Sequence, residues 1–135
     1  MNYIDEYLTR IRAGSVVVGK WVRLLYEYIA KGLDEGLFFY DAEKAEFAVD
    51  WIEQHCFHTE GPKAPKNLVL ELWQRAFVSL VFGIVDADGK RQFREVIFIV
   101  SRKNGKSLLA AAIAKYVWYN GGFGARIYTL APKLD

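Results

Sequence analysis

Glycine, lysine and serine at positions 105, 106 and 107 close the run Ser101-Arg-Lys-Asn-Gly-Lys-Ser107, an order of side chains suited to holding a phosphate chain. Phosphate capture needs consecutive main-chain N–H groups aimed into a concavity, a helix N-terminus carrying partial positive charge, and a lysine that reaches the terminal phosphates. In that scheme Gly105 permits close backbone approach, Lys106 contacts the β and γ phosphates, and the Ser107 hydroxyl coordinates Mg²⁺. The general pattern G-x-x-x-x-G-K-[ST] asks for glycine where this chain has Val100. A tight turn with solvated basic residues is the competing reading of the same run. Charge favours the phosphate reading. Between Asp88 and Ser107 stand six basic residues (Lys90, Arg91, Arg94, Arg102, Lys103, Lys106) against two acidic ones, Asp88 and Glu95, in a chain whose formal net charge is only +2. Such a local excess attracts phosphate, although Lys90 and Arg91 read as solvated turn residues.

A loop of this kind works only between a buried strand and a helix. Arg94 to Val100 is β-branched and aromatic and predicts a buried strand of a parallel sheet. Residues 107–119, rich in alanine, predict the helix that follows, Gly121-Gly122-Phe123-Gly124 its end, and residues 126–131 a second strand, which makes one βαβ unit. Upstream, the spacing of Val18, Trp21, Val22, Leu25, Tyr28 and Ile29 predicts a helix over 15–31, with Ser15 as N-cap and Gly32 as stop. Residues 4–12 predict a shorter helix ending near Gly14. Asp41 caps a third helix running to about Phe57, with Ala45, Ala48, Ile52 and Cys56 on one face. A fourth spans 71–83, and Asp86 to Lys90 forms a turn at Asp88-Gly89. The stretch 59–67 carries two of the three prolines and reads as a linker. The predicted organisation is a helical region over 1–58, a linker over 59–67, and the start of an α/β nucleotide-binding domain over 68–135 whose sheet is incomplete.

Composition sets the outer limits. With 53% hydrophobic and 16% aromatic residues, 135 residues predict one folded domain rather than a disordered chain. Cys56 is the single cysteine, so an internal disulfide is excluded. No secretory leader and no apolar run of about 20 residues is present, so the cytoplasm is the expected compartment. His55-Cys56-Phe57-His58 groups three possible metal ligands too tightly for a tetrahedral site. Trp21, Tyr26 and Tyr28 are expected in the core, and Asp50 with Glu53 on a solvated surface.

The run Arg102-Lys-Asn-Gly-Lys-Ser107 resembles the deviant Walker A motif of tailed-phage terminase large subunits, in which the first glycine is commonly absent. Leu70-Glu-Leu-Trp-Gln-Arg-Ala-Phe77 is similar to the segment of that family in which a Trp-Gln pair supplies a glutamine to adenine; the matching position is Gln74. One glutamine amide offers both donor and acceptor to the adenine edge. Thr129-Leu-Ala-Pro132 resembles the stretch after the family's second strand. The resemblance implies ATP with Mg²⁺ bound by Gln74 and by Arg102, Lys103, Asn104, Gly105, Lys106 and Ser107, with Arg102 and Lys106 offsetting charge on the transferred phosphoryl group. It also implies double-stranded DNA, a terminase small subunit and a portal protein as partners, a homo-oligomer without membrane attachment, and a phage-encoded motor working in the bacterial cytoplasm. The family's acidic Walker B strand and its nuclease carboxylates have no counterpart here. The expectation is therefore an N-terminal piece of a P-loop ATPase, without turnover of its own. A helicase-like P-loop motor, or a helical interaction module without nucleotide, are the alternatives.

Overall fold

The computed structural model describes residues 2–58, 61–99, 106–122 and 124–128, with Lys106 by its main chain alone. The chain forms two compact units, Met1–Ile99 and Val100–Asp135, each considered by itself.

The first unit begins with helix α1 (Tyr3–Ala13). Asn2 Oδ1 accepts the N–H groups of Ile4 and Asp5 at 3.1 and 3.2 Å, and Gly14 ends the helix at φ 78°. The predicted boundaries 4–12 are met to within a residue. Helix α2 (Lys20–Asp34) corrects the expected start at Ser15. The Ser15 and Val16 N–H groups donate back to Arg10 O, at 3.1 and 3.3 Å, so this stretch finishes α1 instead of opening α2. Gly32, the expected stop, lies inside α2. A Cβ there would penetrate the ring of Phe38, which is 1% exposed, so glycine is required by packing rather than by chain reversal. On α2 only part of the aromatic expectation holds. Tyr26 is 3% exposed and meets Tyr7 edge-on at 5.2 Å, whereas Trp21 and Tyr28 face solvent.

Helix α3 (Ala42–His55) is capped by Asp41, whose Oδ1 accepts Lys44 N–H at 3.1 Å. Ala45, Ala48, Ile52 and Cys56 form its buried face as predicted. Helix α4 (Leu72–Gly83) is almost wholly apolar beyond its first turn, with Ala76 and Val78 to Gly83 buried, and it packs between α1 and α3. Gly83 permits the closest approach, since a Cβ would stand 2.6 Å from that of Ala45. Arg75 reaches from α4 to Glu53 on α3 at 3.2 Å and lies over the Tyr3 ring of α1 at 5.5 Å.

Of the predicted linker 59–67, residues 59 and 60 lie outside the described residues, and the stretch 61–67 does not lead away from the helices. Phe57 and Asn67 form an antiparallel bridge, Leu68 N–H donates to Cys56 O at 2.8 Å, and the Asn67 amide donates to the carbonyls of Glu53 and Gln54 at the end of α3. The compact unit therefore runs through it.

Strands β1 (Phe39–Tyr40) and β2 (Ile84–Val85) form a two-stranded antiparallel sheet, pairing Phe39 with Val85 and Tyr40 with Ile84. The turn after it is the predicted one. Asp86 Oδ1 accepts from Asp88 and Lys90 N–H, and Gly89 stands at φ 78°. The predicted buried strand over 94–100 is a correction: residues 94–99 have no strand pairing, and Ile97 and Ile99 are 89% and 90% exposed. A strand is stable only when its N–H and C=O groups are answered by neighbours, and no strand lies beside this segment among the described residues. Within it Phe98 does turn inward, stacking 4.7 Å from Phe77.

In the second unit helix α5 (Lys106–Asn120) covers the predicted 107–119. Gly122 and Gly124 follow at φ 86° and 82°, and residues 125–128 return beside Ala114, Lys115, Trp118 and Tyr119. Residues 126–128 are not in a strand, and 129–131 of the second predicted strand lie outside the described residues. The described architecture is thus mixed: five helices and one small sheet.

Candidate functional site

The site residues predicted from sequence fall into two groups, one in each unit. Gln74 belongs to the first turn of α4; Lys106 and Ser107 belong to the first turn of α5; Arg102, Lys103, Asn104 and Gly105 lie outside the described residues, as do Val100 and Thr129 to Pro132.

At α5, Ser107 is exposed, and the first turn contains no acidic side chain. A helix N-terminus exposes N–H groups without internal acceptors and carries roughly half a positive charge, and an acidic residue there would neutralise it. This turn, with its exposed Ser107 hydroxyl and no carboxylate, therefore favours an anion. The helix is 15 residues long, so its dipole is fully developed at the first turn.

At α4, Gln74 occupies the third helical position and Glu71 the N-cap. Glu71 N–H donates to Gln74 Oε1 at 2.8 Å, and the two residues close a capping box. The Glu71 carboxylate also accepts from Trp73 Nε1 at 2.7 Å. Trp73 in turn lies nearly parallel to Phe98, centroids 6.3 Å apart, and Phe98 stacks on Phe77. Gln74 is half-buried, and its amide nitrogen has no acceptor among the described residues. Sequence reading missed the role of Glu71. The signal was present as Glu71-x-x-Gln74, but a capping box is usually sought behind serine or threonine.

The remaining candidates do not converge. Cys56 is buried, His55 Nδ1 donates to Trp51 O at 2.8 Å and its ring stacks on that of Trp51, and Glu53 is held by Arg75. No helix of the described residues is long and apolar enough to cross a membrane.

The family model described as the terminase large subunit, ATPase domain, matches residues 72–135, from the first residue of α4 to the last residue of the chain. No curated protein and no solved structure matches the chain.

Proposed function

We propose that the chain, whose residues 72–135 match the terminase large subunit ATPase domain family, binds ATP through a deviant Walker A loop to power packaging of double-stranded DNA into a capsid. The observation that carries this reading is the start of α5 at Lys106, directly after residues 101–105 in sequence, with Ser107 and no acidic residue in its first turn. Arg102 to Ser107 would hold the phosphates, with Lys106 and Arg102 opposing the charge that develops on the transferred group. Mg²⁺, with the Ser107 hydroxyl among its ligands, would supply further charge neutralisation across the β and γ oxygens. A terminase small subunit, a portal protein and further copies of the motor are the partners this reading entails.

Gln74 would read adenine. Replacing it with alanine is expected to weaken ATP more than GTP, because a base-specific contact is lost while the phosphate contacts stay. Competition binding of the two nucleotides to the chain measures the ratio. Equal weakening of both would leave Gln74 as a capping residue only. Binding of ATP that is untouched by substitution at Lys106 would overturn the nucleotide reading as a whole.

A further inference from the structure

Side-chain amides are usually free to exchange their oxygen and nitrogen by a half-turn of the last torsion. Gln74 is not. Its oxygen must face Glu71 N–H, because only the oxygen accepts the 2.8 Å bond, and its nitrogen therefore faces away from the helix end. The frame around it is built from three contacts: the capping box, the Glu71 bond to Trp73 Nε1, and the ring stack of Trp73, Phe98 and Phe77.

We infer that Glu71 is a positioning residue whose main-chain N–H fixes the Gln74 amide in one orientation and thereby sets the preference for adenine over guanine. The inference rests on the reading of Gln74 given above. A carbonyl oxygen has two lone pairs, so the held Oε1 keeps one for the adenine N6 amine while Nε2 donates to N7. Guanine puts an oxygen where adenine has that amine. A free amide meets guanine by turning its NH₂ to O6; the held amide would have to break its bond to Glu71 first. The device thus strengthens adenine by ordering a flexible side chain in advance and penalises guanine by preventing the turn.

The test is the ATP:GTP affinity ratio of the full chain. Glu71→Pro removes the N–H at a position whose φ of −72° already suits proline, while Glu71→Ala removes the carboxylate but keeps the N–H. The expected result is a ratio about two- to tenfold narrower in Glu71→Pro, the equivalent of one neutral hydrogen bond, with the ratio kept in Glu71→Ala. An unchanged ratio in Glu71→Pro, or equal narrowing in both variants, would overturn the inference. Gln74→Ala, run alongside, separates the two levels: if it leaves the ratio unchanged, the adenine reading itself is wrong. Should Glu71→Pro fail to fold, amide hydrogen exchange decides instead. Slow exchange at Glu71 that becomes fast in Gln74→Ala supports the hold, and equal exchange in the two proteins overturns it.

Discussion

Lys106→Ala is expected to lower ATP affinity by about a hundredfold or more, as the loss of charge-assisted contacts to two phosphates of roughly 3 kcal/mol in total implies. The size of the effect follows from the site's composition. An ammonium group is a compact point charge, and inside a phosphate cradle of main-chain N–H groups it supplies much of the net positive charge opposing the triphosphate. Arg102 and Lys103 lie in the same run, but the α5 N-terminus starts at Lys106 itself. Lys106→Arg keeps the charge and changes the reach, so it should recover only part of the loss. Because Lys106 stands at the first position of α5, the substitution should leave helix content by circular dichroism unchanged. A binding loss accompanied by a loss of helix would point to misfolding instead.

The second large effect concerns the core of the helical unit. Phe38→Ala should destabilise it by about 3–5 kcal/mol, the usual cost of deleting a buried aromatic ring and leaving a cavity. Phe38 is 1% exposed, sits in the notch left by Gly32, and lies 6.0 Å from the Tyr28 ring and 5.8 Å from that of Phe93. No neighbouring side chain can fill that notch, since the residue beneath it is glycine. A domain of this size has about 5–15 kcal/mol in total, so the variant should melt far earlier in urea. A shift of less than about 1 kcal/mol would mean that the ring does not hold α2 against the 37–40 segment.

Much of this fold is readable from local sequence, and the reason differs by element. Caps disclosed α1 and α3: Gly14 and Asp41 make the hydrogen bonds or adopt the left-handed angle that their types favour. The apolar run after Glu71 and the alanines after Ser107 disclosed α4 and α5. Ser15 misled because a serine before an apolar period serves equally at either side of a helix junction, and here its N–H and hydroxyl both go to Arg10 O. The pairing of β1 with β2 was hidden, since two residues per strand carry no period and Phe39 is joined to Val85 across a distance no local pattern spans. Residues 94–99 have strand-forming side chains but no strand partner among the described residues, and side-chain propensity cannot supply one.

The site was legible in a different way. The run 101–107 is a candidate from residue order and from resemblance, and the family match over 72–135 includes it. Gln74 is a candidate on the same resemblance, but its hydrogen bond with Glu71 is a matter of one side chain and one N–H meeting at a helix end, which residue type alone does not announce.

Binding of the ATP phosphates by the residues that lead into α5 is tested most directly by a titration of Mg·ATP into the isotope-labelled chain, followed by amide chemical shifts. Saturable shifts are expected to concentrate at Gly105, Lys106 and Ser107 and to be absent in Lys106→Ala, with a second, smaller group at the Gln74 side-chain amide. Saturable shifts confined to other residues, or none at a nucleotide concentration that saturates binding, would contradict phosphate binding there.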